Sequence, residues 1–524
     1  MGRYLYRIGG IALSALFLFY LLPSFTGIAE GRLDLISKNP EGVSAFIKSF
    51  NFACLASLFN VGLSLFLALG LTKVAISSTA GKWLNLLIVP VMLGNVSIAF
   101  IGKIIFSDLA FFQQGSTVKF LTLTLLQFYQ YGTLYTYLFW LIIQNLPRPP
   151  IAYVEGIRLT AAEKIKDIFL PACKDLAILL FVLNFILSFY EDAKFQLIFK
   201  ASIGTNTELI SQWLIRTYTS NALYSPVFAN NQVLALCLIA LGAAAIAIVA
   251  VSVIYTWLYE RLLTRRRLFL INVQTFAGKV YPTVLLLLVT LPLVYAIGRT
   301  IVNFQFDFQT LISPLLFTTL AAIFGVAFSV VLSICLRLGW KRTLASFNRR
   351  SLVFFLLLFA MQLIPPVAIY LTGFQWLRLA GYSSEWNLKL LWLTGHAILT
   401  IPLISGFILV THFRTSNNEL SYMEAHRLPF NKIVTDCFLK RYLAEYLLTF
   451  LISFSLIWNE SIINNLFSDF IPSFVSEMKM NIEGRAADYA RGVNYLLVSL
   501  MIAAAAVLLW RSILKKIDPH HEIT

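Results

Sequence analysis

Long apolar stretches separated by short polar ones run from one end of the chain to the other. Bounded by charges or turn residues, they fall near residues 9–26, 50–71, 84–106, 119–143, 175–190, 233–257, 280–298, 314–336, 352–374, 388–411, 443–458 and 493–510. Most approach the ~20 residues that a helix needs to cross a ~30 Å hydrocarbon core. A helix satisfies its backbone polar groups internally, as lipid requires. The pattern predicts an all-α integral membrane protein of about twelve transmembrane helices, with no stretch left for a separate soluble domain. The first run follows Arg3 and Arg7 as a signal peptide would. It is read as an uncleaved helix because it has a counterpart later in the chain.

Composition agrees with lipid as the solvent. Of the 524 residues, 59% are apolar and 13% charged, with mean hydropathy +0.78, whereas a soluble domain carries about a quarter charged residues. The formal charge of +16 does not point to nucleic acid, because Lys and Arg sit between spans and form no basic surface interleaved with aromatics. With the N-terminus inside, alternate loops hold 27 basic residues on the inner side and 14 on the outer. The positive-inside bias then predicts a multi-pass chain with both termini in the cytoplasm. Of five cysteines, Cys54, Cys237 and Cys335 lie in spans and Cys173 and Cys437 in basic loops, which gives no disulfide framework.

The chain repeats itself. Shifted by 269 residues, Tyr153, Glu155, Arg158, Leu159, Asp167, Phe169 and Leu170 fall on Tyr422, Glu424, Arg427, Leu428, Asp436, Phe438 and Leu439, a shared Y-x-E-x-x-R-L-x7-D-x-F-L. The same shift carries Pro23 onto Pro292, Phe181, Phe185 and Leu187 onto Phe450, Phe454 and Leu456, and Glu191 onto Glu460. Spans two and eight match at 265, pairing Phe52, Ala56, Phe59 and Ser64 with Phe317, Ala321, Phe324 and Ser329. Apolar matches alone mean little between membrane helices, so the charged ones decide it. Six spans is an even number, so both copies run the same way, as in a parallel repeat. Two six-helix halves are predicted, 1–268 and 269–524, joined through a basic linker near 258–280.

The repeated segments, 147–174 and 413–441, are inner loops that read as short helices, the first ending at Pro171. Val154, Ile157, Ala161 and Ile165 give the first an apolar stripe. A mere connector has no reason to repeat Glu, Arg and Asp at fixed spacing. The loop resembles the EAA loop of permease subunits in binding-protein-dependent ABC importers. The resemblance is carried by Glu155, by Ile168, Phe169, Leu170 and Pro171, and by Glu424 and Ala425. Both copies lack the family's usual glycine, and the second has Leu439-Lys440 where Leu-Pro is usual. In layout the chain is most similar to the fused ferric-iron and thiamine permeases.

The resemblance implies a type I permease whose two loops seat as coupling helices on two ATP-binding cassette subunits. Glu155, Arg158, Glu424 and Arg427 would make polar contacts there, beside Tyr153, Asp167, Tyr422 and Asp436. Leu159, Leu428, Phe169 and Phe438 would fill the ATPase groove or pack the helix on the bundle. It also implies a periplasmic or lipid-anchored solute-binding protein, for which outer loops near 27–49, 191–232 and 459–492 offer room. Iron(III) complexes, thiamine, polyamines and inorganic oxyanions all suit the layout. ATP would be bound by the partners alone. The Gly-Lys pairs at 81–82, 102–103 and 278–279 are followed by Trp, Ile and Val, so none is a phosphate-cradling loop. No H-E-x-x-H or G-x-S-x-G occurs, so no enzymatic activity, metal or cofactor is expected.

Polar residues within spans face a bundle interior or a water-filled path. Gln127, Tyr131 and Tyr135 form one stripe of span four, and the 269 shift places Gln127 on His396 and Tyr131 on Thr400. Gln127, Tyr131, His396 and Thr400 are the candidate translocation lining, with helix-to-helix bonding as the alternative role. His396 has no His or carboxylate one turn away and is not read as a metal ligand. Glu191 and Glu460 recur at outer span ends, where they either pair with a partner or mark the interface with water, the second being the preferred reading. The rival class is a twelve-span secondary carrier driven by an ion gradient. Against it, residues 72–82 read TKVAISSTAGK where a Gly-Asp-Arg-rich signature is expected, and no pair of intramembrane carboxylates is evident.

Overall fold

The computed structural model describes residues 40–107, 116–144, 168–191, 280–301, 308–340, 385–412, 417–460 and 489–517, except 73, 77 and 427. It also describes short pieces at 10–12, 209–211, 354–355 and 361–363, and Lys194, Trp213, Leu344, Ser351, Leu358 and Thr415. The predicted spans 9–26, 233–257 and 352–374 lie largely or wholly outside these residues, as do the linker and most of the first repeated loop.

Among the described residues every regular element is helical. In order they are α1 (Pro40–Gly70), α2 (Thr79–Trp83), α3 (Val89–Ser107), α4 (Ser116–Gln127), α5 (Thr133–Gln144), α6 (Leu170–Phe189) and α7 (Val280–Ile301). There follow α8 (Phe308–Gly339), α9 (Glu385–His412), α10 (Asn417–Ala425), α11 (Phe430–Val434), α12 (Leu443–Trp458) and α13 (Tyr489–Ile517). Among the described residues, seven helices are long and apolar enough to cross a membrane, or up to eight if the bent pair Phe430–Leu439 and Leu443–Trp458 is one span. Their outward faces are apolar: Leu55, Leu288 and Met501 are each 60% or more exposed. Water would not tolerate so much contiguous apolar surface, and lipid does. The chain is thus an all-α membrane protein.

Several boundaries differ from the sequence expectation, for local reasons. Helix α8 starts at Phe308 and carries Pro314 inside, past the first turn, so the helix runs on without the bond that a proline lacking its N–H cannot make to the fourth residue before it. Pro171, expected to end the first loop helix, instead occupies the first turn of α6, a position whose N–H has no intrahelical acceptor anyway. The span near 84–106 is α2, a 3-10 turn over Leu84–Ile88 and α3, which breaks at Gly94. Span four holds a π turn, Phe128–Gly132, between α4 and α5.

Two triads of helices organise the bundle. Helix α1 packs on α5 and α6, which touch each other, and α8 packs on α9 and α12, which also touch. The Ser64 hydroxyl of α1 donates to the Gly132 carbonyl at 2.7 Å, and the Ser329 hydroxyl of α8 donates to the Ile401 carbonyl at 3.4 Å. On α8, Gly325, Ser329 and Ser333 stand four residues apart, small enough for close approach to α9. A Cβ on Gly325 would stand 2.7 Å from the Thr400 hydroxyl. Helix α3 lies against α7, α12 and α13 as well as against the 128–132 turn and α5. There the Ser455 hydroxyl donates to the Met92 carbonyl at 2.7 Å, and Ser97 donates to Ser499 at 3.1 Å.

Candidate functional site: a buried polar layer and a pinned surface element

The break in α3 falls halfway along the span. Gly94 has φ 73° and ψ 174°, a region open essentially to glycine alone. The next residue, Asn95, presents its side-chain oxygen to two donors: the Tyr131 hydroxyl at 2.8 Å and the Lys194 ammonium at 3.2 Å. The ammonium also donates to Glu191 Oε2 at 2.6 Å and lies 5.5 Å from the Tyr131 ring centroid. The Gln127 amide N–H donates to the same carboxylate oxygen, while Glu191 Oε1 accepts the Lys194 backbone N–H at 3.1 Å. Gln127, Glu191 and Lys194 are fully buried. Desolvating both charges is costly, and a close pair with every carboxylate oxygen bonded offsets that cost.

One turn along, the Tyr135 hydroxyl donates to Asn184 at 3.2 Å. Asn184 also accepts from Asn60 at 3.1 Å and donates to Ser57 at 3.0 Å, joining α1, α5 and α6. This second cluster holds helices together. The Tyr131 and Tyr135 hydroxyls therefore serve different networks from one helical stripe.

A related pair lies on α9 and just after α12. His396 Nε2 lies 3.8 Å from Glu460 Oε2, His396 Nδ1 is 2.9 Å from the Trp392 carbonyl, and its ring centroid is 4.1 Å from that of Trp392. These positions are those of Gln127 and Glu191 shifted by 269 residues. Thr400 instead donates to its own helix at Ala397 and sits against Gly325, a packing position. The expectation that Glu191 and Glu460 mark the interface with water is corrected: the Glu191 side chain is 0% exposed and that of Glu460 19%. The helices before them end at Phe189 and Trp458, and each carboxylate follows within two residues of a helix end, Glu191 buried and Glu460 part-buried. A carboxylate that sequence did not place beside His396 therefore faces it.

The two pairs meet through the break. A Cβ on Gly94 would lie 2.2 Å from Asn459 Cγ, and Ser97 donates to Asn459 Oδ1 at 3.4 Å. Asn95 and Glu460 are thus each one residue from the contact between Gly94 and Asn459.

At one end of the bundle α10, α11 and the π turn Thr435–Leu439 form a short-helix element. Arg337 pins it: buried in α8, it donates to the His412 carbonyl at 3.4 Å, the Thr415 carbonyl at 2.6 Å and Asn417 at 3.0 Å. Leu420, Ile433, Cys437 and Phe438 bury against Val330, Ile334 and Ile404 of α8 and α9. Of the two roles open to Phe438, packing on the bundle is the one observed, and Leu428 packs at the edge of the same cluster. Tyr422 is 66% exposed, with Ser421, Ala425 and His426 exposed beside it. Asp436 pairs with Lys440 at 3.0 Å and Glu419 with Arg441 at 2.9 Å on the same surface. Glu424 lies on α10. Arg427, with Tyr153, Glu155, Arg158, Leu159 and Asp167 of the first copy, lies outside the described residues. At the end of that copy Ile168 and Phe169 are π-helical and run directly into α6, as Cys437 and Phe438 are before α12.

Sequence reading missed Asn95, Asn184, Asn459 and Lys194. Asn95 and Asn184 carried a usable signal, being amides inside apolar runs. Asn459 and Lys194 carried none, because they sit in stretches that read as outer loops. Comparison with protein-family models, with curated proteins and with solved structures gave no match.

Proposed function

We propose that the chain is the permease subunit of an ATP-driven ABC importer, carrying a small solute delivered by a binding protein into the cytoplasm. In this reading it has twelve spans in two tandem six-helix repeats and sits in a bacterial inner membrane with both termini inside. Two ATPase subunits act in trans on the inner loops. The observation that carries the reading is the charged repeat of 153–170 at 422–439, because its second copy is a surface element fixed to the bundle through Arg337. Force applied at Tyr422 and its neighbours would pass into α8, α9 and α12 as one body. Supporting the duplication, Ser64 with Gly132 and Ser329 with Ile401 make the same bond at shifted positions. So do Gln127 with Glu191 and His396 with Glu460, as paired polar sites.

The test is composition of the native complex. The tagged chain, purified from its own membranes, should carry two copies of G-x-x-x-x-G-K-[ST]-containing subunits per chain and hydrolyse ATP. Replacing Glu155 and Glu424 together by Arg should remove those subunits while the chain still inserts. A native preparation without such subunits refutes the reading.

A second reading, a secondary carrier, gains from the interior carboxylates Glu191 and Glu460. Solute accumulation by vesicles holding the chain alone, driven by an ion gradient, would establish it instead.

A further inference from the structure

The groups around the Lys194 ammonium are those that recognise any ammonium ion. An R–NH3+ group has three donors and no acceptor. Here it meets a carboxylate oxygen at 2.6 Å, an amide oxygen at 3.2 Å and an aromatic face at 5.5 Å. The Gln127 amide places its N–H on the carboxylate, and its own Oε1, buried, has no hydrogen-bond partner. The Glu191 carboxylate gives the site itself a negative charge, which suits a cation and not an anion.

The ion pair is also not a requirement of the duplicated fold. Shifted by 269 residues, Gln127 and Glu191 have the polar counterparts His396 and Glu460, but Lys194 falls on Ile463. A charge needed only to hold such a helix end in place would be needed in both halves. Lys194 is an addition to one of them.

We propose that Asn95, Gln127, Tyr131 and Glu191 form a binding site for an ammonium group, that Lys194 fills it as a tethered occupant, and that the transported solute is an amine-bearing cation that displaces Lys194. The inference rests on the permease reading and narrows its substrate class. A tethered occupant lowers the apparent affinity for a free one by the fraction of time the site is open. The site is thereby kept filled until solute arrives, which denies small ions a polar route through the bundle.

The test uses the purified full-length chain in nanodiscs and radiolabelled 1,4-diaminobutane as probe. Lys194→Ala should bind the diamine at least tenfold more tightly than the wild type, and Glu191→Gln, in either background, should lose that binding. In Lys194→Ala the midpoint of thermal unfolding, followed by tryptophan fluorescence, should rise with ethylammonium and not with equal sodium or tetramethylammonium. Equal or weaker diamine binding by Lys194→Ala, or the same response to sodium as to ethylammonium, overturns the proposal and leaves the pair as a structural lock. If Lys194→Ala does not fold, saturable diamine binding by the wild type that Glu191→Gln abolishes sustains the proposal, and its absence overturns it. None of these measurements involves ATP or an ATPase, so their failure is distinct from failure of the importer reading.

Discussion

Replacing Gly94 by alanine tests the contact between α3 and the end of α12. The backbone there has φ 73° and ψ 174°, and a residue with a Cβ pays about 1–3 kcal/mol to hold such a conformation. The new Cβ would also stand 2.2 Å from Asn459 Cγ and 2.5 Å from its Cβ, so Asn459 must move. Moving it breaks its bonds to the Ser455 carbonyl at 2.9 Å and from Ser97 at 3.4 Å. At about 0.5–1.5 kcal/mol each, these bring the total to roughly 2–6 kcal/mol. That is a large share of the ~5–15 kcal/mol by which proteins are stable. The assay is thermal unfolding in detergent read by thiol labelling, since Cys173 and Cys437 are buried in the folded chain. Gly94→Ala should unfold at lower temperature. Adding Asn459→Gly should recover the collision and leave the backbone cost, a coupling of about 1–3 kcal/mol in a double-mutant cycle. Unchanged unfolding in Gly94→Ala, or strict additivity with Asn459→Gly, would refute the reasoning.

Two further outcomes concern the surface element. Arg337→Met removes three hydrogen bonds to the 412–417 turn and should cost about 2–5 kcal/mol, with faster proteolysis between residues 412 and 442 at a fixed temperature. Phe438→Ala, at a fully buried site, should cost about 3–5 kcal/mol. Tyr422→Ala, at an exposed one, should change stability by under ~0.5 kcal/mol yet lower ATP hydrolysis by the assembled complex; parallel stability and activity losses at both sites would argue against a docking role for Tyr422.

The helices were legible because apolar length is a property of each segment alone, as in 443–458, where the expected and observed bounds coincide. Ends and interruptions were less so. Span two extends back to Pro40 through Glu41 and Lys48, because polar residues at a helix end do not stop it. The π turn at 128–132 has no proline or charge to announce it. Within the candidate site, Gln127 and Tyr131 were found from a four-residue polar stripe, a local signal. Their partners were not, because Asn95 is 36 residues from Tyr131 and Glu191 is 64 from Gln127, separations that only packing closes. Glu191 was assigned to water by its place after an apolar run. That inference fails whenever the chain folds back into the bundle instead of leaving it.

The placement of α3 has a consequence for how the molecule is assembled. Because it lies on α7, α12 and α13, a fragment ending before α7 would leave Ser97 and the Met92 carbonyl without the partners they have in the bundle. During synthesis that seam stays open until α13 has joined it. Cutting the polypeptide before α7 should therefore yield two fragments that are each degraded when produced singly and are rescued when produced together.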